Sequence, residues 1–247
     1  MPRFFVNRDD IFPGHIIIGG DDVKHIKNVL RLKPGDEITL CDGRGTDYRA
    51  VIQEFGSSVI SAGIKEAGPS PSEPAVEATL FQGIPKSDKM DFIIQKSVEL
   101  GISRIVPVMN ARTVVRFRDG KDMDKKTARW QRISLEAAKQ CGRGIIPRVS
   151  VPLEFCEALE LAADMDYSII PYENCSGPGI RECLAKSEGS RVAYFVGPEG
   201  GFEEDEIDKA CQKGVIPVTL GPRILRTETA AVTVLTILMY EKGDIGG

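Results

Sequence analysis

The stretch Arg191-Val-Ala-Tyr-Phe-Val-Gly-Pro-Glu-Gly-Gly-Phe202 decides the fold class of this chain of 247 residues. Arg191–Val196 is a short run that is apolar on both faces, as buried strands of parallel sheets are. Gly197–Gly201 follows at once, and its three glycines allow positive φ angles and a close approach of the backbone to a ligand. A plain turn from a strand into a helix is the alternative, but two glycines would be enough for it. The third glycine therefore favours a ligand-binding loop.

Further apolar runs alternate with helical patterns on both sides of this stretch, namely Ala75–Phe81, Ile102–Met109, Tyr167–Ile170 and Val215–Leu220. Such alternation predicts an α/β sheet with crossover helices. Ligands bind beyond the carboxyl ends of the strands in sheets of this kind. The residues that follow the runs are therefore the candidate site: Gln82–Pro85, Pro171–Glu173, Gly197–Gly201 and Gly221–Arg223.

The first part of the chain, to about Lys65, has a different pattern. Short strands broken by Gly, Pro and Asp turn signals predict a small β-barrel, with one helical piece at Val23–Leu32. Ala67–Pro74 then contains three prolines together with glycine and serine, which is typical of a linker. We therefore expect two domains, residues 1–70 and residues 71–247.

The usual sequence motifs of several kinds of site are absent from this sequence. Neither GxGxxG nor GxxxxGK occurs, which argues against dinucleotide and nucleoside triphosphate sites. The acids Glu203–Glu206 after the glycine-rich loop would repel a phosphate there, so we expect a neutral or cationic ligand. The chain has only two histidines, His15 and His25, and six cysteines that form no CxxC pair. These counts disfavour a metal site and a Ser/His/Asp triad.

No apolar run reaches the roughly 18 residues of a membrane span, and the N-terminus does not have the pattern of a secretory signal. We therefore expect a cytoplasmic protein with reduced cysteines and no membrane partner.

The formal net charge of −4 argues weakly against a nucleic-acid partner, but the charge is unevenly distributed. Residues 112–148 hold eleven Lys and Arg against four Asp and Glu. A helix expected at about Asp124–Cys141 carries one charged stripe opposite its apolar face: Lys125, Arg129, Arg132, Glu136, Lys139 and Arg143. Repulsion between like charges favours a phosphate-backbone contact. An ordinary solvated helix face remains the alternative on this feature alone.

A second unusual stretch runs from Leu220 to Ala231 and leads into Val232–Tyr240, which is apolar nearly all round. A helix without a polar face lies in a core or in a subunit interface. Polar residues that lead into such a helix are costly to bury unless they are paired or bind a ligand. The pairing alternative is an Arg226–Glu228 ion pair with Thr227 or Thr229 as the helix N-cap.

Five sequence strings, taken together and in order, resemble the SPOUT methyltransferases and, within them, the ribosomal RNA small subunit methyltransferase E family. The resemblance covers essentially the whole chain. The strings are His25-Ile-Lys-Asn-Val-Leu-Arg31 with Pro34-Gly35-Asp36, Lys86-Ser-Asp-Lys89 with Gln95-Lys-Ser-Val-Glu-Leu-Gly101, Glu136-Ala-Ala-Lys-Gln-Cys-Gly-Arg143, Phe195-Val-Gly-Pro-Glu-Gly-Gly-Phe202, and Leu220-Gly-Pro-Arg-Ile-Leu-Arg-Thr-Glu-Thr-Ala-Ala231.

The resemblance implies an α/β protein with a PUA-like, RNA-binding β-barrel at residues 1–70. A SPOUT methyltransferase domain follows at residues 71–247, with a C-terminal trefoil knot at roughly 165–247. It further implies transfer of a methyl group from S-adenosyl-L-methionine to N3 of a uridine in 16S ribosomal RNA. The expected partners are 16S rRNA or the assembled small subunit and a second copy of the chain, without a metal.

The resemblance also assigns roles to residues. Those expected to bind the cofactor are Pro171, Tyr172, Glu173, Gly197, Pro198, Glu199, Gly200, Gly201, Leu220, Gly221, Arg223, Ile224, Leu225, Thr229 and Ala230. Those expected to bind RNA are Arg3, Arg8, Lys27, Arg31, Arg112, Arg116, Arg118, Lys125, Arg129, Arg132, Lys139 and Arg143.

The imide nitrogen of uracil carries a proton, which a catalyst must remove while it stabilises the resulting anion. Arg226 is the candidate that stabilises a uracil oxygen, and Glu228 or Glu199 is the candidate proton acceptor. A structural role for Glu228 stays open. Two other functions also remain open, methylation of another RNA position such as a ribose 2′-hydroxyl, and RNA binding without catalysis.

Overall fold

A computed structural model describes residues 1–175, 177–185 and 189–246. The chain divides into two compact units, and the first comprises Met1–Glu73 with Ala138–Ile146. The second comprises Pro74–Ala137 with Pro147–Gly247. Residues 138–146 therefore lie in the first unit, although they come long after the boundary expected at residue 70.

The first unit is built on a six-stranded sheet with the order β1-β4-β5-β6-β3-β2. Its strands are β1 (Arg3–Phe5), β2 (Ile11–Phe12), β3 (His15–Ile18), β4 (Glu37–Cys41), β5 (Thr46–Phe55) and β6 (Ile60–Pro69). All neighbours pair antiparallel except β1 and β4. Within this unit, described throughout, no pairing of β1 with β2 closes the sheet. The small β-barrel predicted from the sequence is thus confirmed only in part, as a six-stranded sheet whose edge strands β1 and β2 pair with β4 and β3.

One face of this sheet forms the core of the first unit, because alternate residues of each strand point to it. Ile16 and Ile18 of β3 are buried there together with residues of β4, β5 and β6. The helical segment that covers them consists of α1 (Asp21–Lys24) and a π-helical turn at His25–Val29. The helix expected to reach Leu32 ends earlier, and Arg31 adopts a left-handed φ of 54°.

The segment expected to be a linker is instead fastened to the first unit. Its first residues complete β6, which extends to Pro69. The Glu73 carboxylate accepts hydrogen bonds from the backbone amides of Gly144 (2.8 Å) and Ile145 (3.0 Å) and pairs with the Arg143 guanidinium at 2.6 Å. These contacts explain why residues 138–146 belong to the first unit.

The second unit holds a seven-stranded parallel sheet with the order β10-β8-β7-β12-β11-β13, in which β9 pairs with β8. Its strands are β7 (Glu77–Gly83), β8 (Arg104–Met109), β9 (Arg148–Val149), β10 (Leu153–Glu154), β11 (Tyr167–Pro171), β12 (Arg191–Val196) and β13 (Ile216–Val218). The central strands β7 and β12 are buried on both faces. This confirms the parallel α/β sheet predicted from the apolar runs.

Helices connect and cover these strands: α2 (Lys89–Glu99), α3 (Gly120–Cys141), α4 (Phe155–Ala162), α5 (Ile180–Ala185), α6 (Glu204–Gln212) and α7 (Thr227–Glu241). The apolar helix α7 packs against α2, α5, β7 and β12, as the absence of a polar face predicts. Helix α3 begins four residues before its expected start. Among the described residues, no helix is both long and apolar enough to cross a membrane.

Candidate active site

A cavity of about 510 Å³ lies at the carboxyl ends of the central strands of the second unit. This size is within the range of small-molecule sites. The loops after β11, β12 and β13 and the first turn of α7 form its walls. The lining residues are Lys89, Pro171, Tyr172, Glu173, Val196, Gly197, Pro198, Glu199, Gly200, Gly201, Thr219, Leu220, Gly221, Arg223, Ile224, Leu225, Arg226, Thr227 and Ala230.

The loop after β12 needs its glycines because the backbone folds closely on itself. A Cβ atom on Gly197 would lie 2.9 Å from Gly201 Cα and from its carbonyl carbon, which are backbone atoms. Gly201 adopts a φ of 68°, in the left-handed region that favours glycine. A Cβ on Gly200 would lie 3.1 Å from Arg112 Cβ. The loop thus offers backbone groups to the cavity without side chains in front of them.

A buried hydrogen-bond relay holds this loop to the start of α7. The Thr227 hydroxyl donates to the Gly197 carbonyl at 2.6 Å, and the Gln82 amide nitrogen donates to the Thr227 oxygen at 2.9 Å. Gln82 is fully buried at the end of β7 and also donates to the Gly83 carbonyl at 2.9 Å. The sequence selects Gln82 only as part of the stretch Gln82–Pro85, and Thr227 only as a possible helix N-cap, so it predicts neither of these contacts. A buried polar side chain at the end of an apolar strand was the available signal.

Two carboxylates beside the cavity share the ammonium group of Lys89. Lys89 Nζ lies 2.9 Å from Glu199 Oε1 and 3.6 Å from Glu228 Oε2. The Lys86 backbone amide also donates to both Glu199 oxygens, at 3.1 and 3.2 Å. In contrast, Glu228 Oε2 accepts no hydrogen bond from any described residue.

These contacts change the pKa values of Glu199 and Lys89. Partial burial by itself raises the pKa of Glu199, but the hydrogen bonds from Lys89 and from backbone amides outweigh it and lower that pKa below its ordinary value. The hydrogen bond to Glu199 raises the pKa of Lys89. Glu199 is therefore a firmly ionised carboxylate and a poor proton acceptor. Lys89 is not among the site residues predicted from the sequence, although it belongs to the string Lys86-Ser-Asp-Lys89, which carries part of the family resemblance.

The structure brings together the loops that the sequence selected. Every residue expected to bind the cofactor lines the cavity except Thr229, which is exposed on α7. Arg226 and Glu199 also line it, and Glu228 lies beside it against Lys89. The alternative Arg226–Glu228 ion pair is wrong, since no such pair occurs between these described residues. Arg226 itself is the N-cap residue of α7, so the expected capping by Thr227 or Thr229 is also wrong.

The basic side chains expected to contact RNA from the second unit are all exposed: Arg112, Arg116, Arg118, Lys125, Arg129 and Arg132. Two of them also make contacts within the second unit, one with the loop after β12 and one between helices α3 and α2. Arg112 donates to the Gly200 carbonyl at 2.6 Å, and Arg129 forms an ion pair with Asp91. Arg132 has no partner among the described residues, which leaves its charge available.

In the first unit, the expected RNA contacts fall into three groups, which are exposed, half-buried and buried. Arg8 and Arg31 are exposed. Arg3, Lys27 and Lys139 are half-buried, with Arg3 paired to Asp47 and Lys27 donating to the Gly56 carbonyl at 2.8 Å. Arg143 is only 4% exposed and is paired with Glu73. Its place in the exposed stripe is therefore corrected, because Arg143 lies beyond the end of α3 and its charge is already compensated inside the unit.

Family models identify the class of this chain. A model described as an RNA methyltransferase domain matches residues 71–239, and one described as an RNA methyltransferase PUA domain matches residues 18–58. The matches confirm the expected order of a PUA domain followed by a methyltransferase domain. In the described residues, no group of three or more His, Cys, Asp or Glu side chains is placed to hold a metal.

Relatives narrow the class to a family. The ribosomal RNA small subunit methyltransferase E of Bacillus subtilis is 34% identical over 229 residues, which cover 91% of this chain and 89% of that protein. Its counterpart from Buchnera aphidicola is 31% identical over 99% of this chain and 95% of its own. A crystal structure of a ribosomal RNA small subunit methyltransferase E from Neisseria gonorrhoeae, bound to S-adenosyl methionine, is 34% identical with a TM-score of 0.83, covering 97% of each chain. This chain therefore belongs to the ribosomal RNA small subunit methyltransferase E family.

Proposed function

We propose that this chain transfers a methyl group from S-adenosyl-L-methionine to N3 of a uridine in 16S ribosomal RNA of the small subunit. The observation that carries the proposal is the cavity whose loop after β12 requires glycine at Gly197 and Gly201 and which lies against Glu199, Lys89 and Glu228. The family, and the cofactor that the relative from Neisseria gonorrhoeae binds, support the same reaction.

The residues present fit this cofactor. A Cβ atom at Gly197 would collide with the Gly201 backbone, so only glycine lets this loop fold tightly along the cavity wall and present its main-chain groups to an adenine. The Glu173 carboxylate lines the same cavity and suits a sulfonium cation. In this proposal the loops Pro171–Glu173, Gly197–Gly201 and Leu220–Leu225 hold the cofactor, together with Ala230. Thr229, which does not line the cavity, stays a weaker member of the set.

S-adenosyl-L-methionine supplies a methyl group that its positive sulfur has already activated. The chain's residues align the acceptor and manage one proton. Glu228 accepts the proton from N3 of uracil in this proposal, since it lies beside the cavity against Lys89 and its buried Oε2 has no hydrogen-bond donor among the described residues. Glu199 is unsuited to this role because Lys86 and Lys89 already hold its oxygens. Arg226, exposed at the cavity, donates to the uracil oxygen that gains negative charge.

The proposal includes the finer architecture that the resemblance implies. A trefoil knot within residues 165–247 of a SPOUT domain is supported by the order β12-β11-β13, which requires long crossovers between parallel strands. A homodimer is supported by the apolar helix α7, whose Tyr240 is 62% exposed. Exposed basic side chains such as Arg132 would bind the rRNA backbone in the cytoplasm.

The test is methyl transfer from labelled S-adenosyl-L-methionine to small subunits that lack the modification and, separately, to free 16S rRNA, followed by nucleoside analysis. We expect label in 3-methyluridine. Label in a 2′-O-methylated or another nucleoside would refute the uridine-N3 assignment. Absence of label with intact RNA binding, and absence of cofactor binding by calorimetry, would favour the non-catalytic alternative.

A matched pair of variants tests the proton acceptor. Glu228→Gln should lower kcat about 10²- to 10⁴-fold, the usual contribution of a positioned base, and leave cofactor affinity within about threefold. Glu241→Gln is the control, because Glu241 ends the same helix and pairs with Arg181 at 3.3 Å, away from the cavity. Equal kcat values for both variants would exclude Glu228 as the acceptor.

A further inference from the structure

The turn that leads into α2 has two locally unfavourable features. Lys89 is the first residue of α2, where a positive charge opposes the helix dipole. Ser87, two residues earlier, has a φ of 56° although it is not glycine, which is an uncommon backbone conformation. Such features persist only where contacts with the surrounding structure hold them in place, and they are common at functional sites. The contacts of this turn therefore indicate what it does.

The turn directs two donors at one carboxylate. The Lys86 amide and the Lys89 ammonium both bind Glu199, and the same ammonium reaches toward Glu228 from 3.6 Å. Lys89 is about one-third exposed and lines the cavity, so it belongs to the site rather than to the core. One cation thus stands between two acids that come from different parts of the chain.

Other charged groups around the cluster do not replace this cation. The cavity wall adds Glu173 after β11, and Arg223 and Arg226 ahead of α7, to the same region. Asp91 of α2 and Asp88, the residue just before that helix, both lie against the Arg129 guanidinium of α3. Within the described residues, Lys89 is the cation that contacts both Glu199 and Glu228.

We propose that Lys89 is a positioning residue which keeps Glu199 and Glu228 ionised together and thereby leaves Glu228 free to accept a proton. The kinetic part rests on the proposed function, in which Glu228 is the proton acceptor. Two neighbouring carboxylates disfavour each other's ionisation, and a shared cation cancels this effect. Without Lys89, one of the two acids should therefore take up a proton at a higher pH. The acidic limb of the pH dependence of kcat should then move to higher pH.

The direct test is a carboxyl-carbon NMR titration of the cofactor-free protein with ¹³C-labelled glutamate, in which Glu199→Gln and Glu228→Gln assign the two signals. In the Lys89→Met protein we expect one signal to titrate about one to two pH units higher than in the unchanged protein. Lys89→Arg keeps the charge and should move it by less than half of that. Lys96→Met removes a lysine from the same helix that pairs with Glu99 instead, and should change neither signal.

The kinetic test uses the same variants. The acidic limb of the profile of log kcat against pH should move upward in Lys89→Met by the same amount as the NMR titration, while kcat at high pH recovers. Unchanged titrations of Glu199 and Glu228 in Lys89→Met would overturn the proposal, as would a loss of kcat that is equal at every pH. If the unchanged protein methylates no RNA, the proposed function fails, and the NMR titration still decides whether Lys89 holds both acids ionised.

Discussion

Individual glycines in the second unit have separate structural tasks. Gly83 ends β7, where a Cβ atom would lie 2.5 Å from Pro198 Cδ, and Gly197 begins the loop that faces it. Both positions are set by close approach of backbone to backbone rather than by a turn. Because neither partner is the far end of a flexible side chain, these contacts cannot relax cheaply. A single methyl group should therefore be enough to deform the cavity wall.

This reasoning gives a prediction for Gly197→Ala. Its Cβ would lie 2.9 Å from Gly201 Cα, so the loop must shift and its backbone groups should lose their alignment with the cofactor. We expect affinity for S-adenosyl-L-methionine to fall at least about tenfold, roughly 1.4 kcal/mol, by isothermal titration calorimetry. Gly120→Ala is the control, since no atom lies within 4 Å of its Cβ position. Equal affinities of the two variants would contradict the backbone-approach argument.

The role of Lys89 is also decided by the position of a single side chain. Its role depends on where one ammonium group lies between two carboxylates, and 110 or more residues of sequence separate it from both of them. Lys89 can face both acids because it stands at the first residue of α2, at the edge of the cavity.

At the scale of elements, the site depends on how β7, the loop after β12 and α7 meet. The relay from Gln82 through Thr227 to Gly197 connects all three elements with hydrogen bonds inside a buried region. Helix α7 is apolar on nearly every side and packs on β7 and β12. Hydrophobic contact alone therefore does not fix the rotation or the register of the helix. Buried hydrogen bonds are directional, and they supply that precision.

Thr227→Val should therefore destabilise the protein as well as the site. The change leaves the half-buried Gly197 carbonyl without the hydroxyl donor and the buried Gln82 amide without one acceptor, at a cost of about 1–3 kcal/mol. Urea unfolding should show the loss, and calorimetry should show weaker cofactor binding. Thr229→Val is the stability control, because Thr229 is exposed and its replacement should cost less than about 0.5 kcal/mol. Similar unfolding midpoints for the two variants would argue against the relay.

At the scale of the whole molecule, the chain forms two units that are not contiguous in sequence. Ala138–Ile146 returns to the first unit, where Arg143 and two backbone amides meet Glu73. Some of the basic side chains expected to bind RNA therefore have a structural role, whereas others are exposed to solvent. Arg143 is compensated and buried, whereas Arg132 is exposed and has no partner among the described residues.

Two substitutions should separate these roles. Arg143→Ala leaves Glu73 without its charge partner and should cost about 3–5 kcal/mol of stability, seen as a lower Tm. Arg132→Ala should leave Tm unchanged, weaken binding of 16S rRNA and reduce the slope of log K against log salt by about one. Differential scanning calorimetry and salt-dependent filter binding measure the two effects. An Arg143→Ala protein with full stability and weakened RNA binding would restore Arg143 to the RNA surface.

The family resemblance, rather than any local pattern, predicted a PUA domain ahead of a methyltransferase domain. The sequence by itself determined the parallel sheet and the three loops that line the cavity. These features follow from local patterns, because burial on both faces requires continuous apolar runs and tight loops require glycine. For the same reason β12 agrees residue for residue with its apolar run, Arg191–Val196.

Only the tertiary structure decided which polar groups meet. The pairing of Lys89 with Glu199 and Glu228, the relay at Thr227 and the burial of Arg143 all join residues that are far apart in sequence. Charge periodicity along α3 could not reveal that Arg143 lies past the helix end, nor that Glu73 compensates it. Such contacts arise when separate elements pack, and no local pattern in the chain records them.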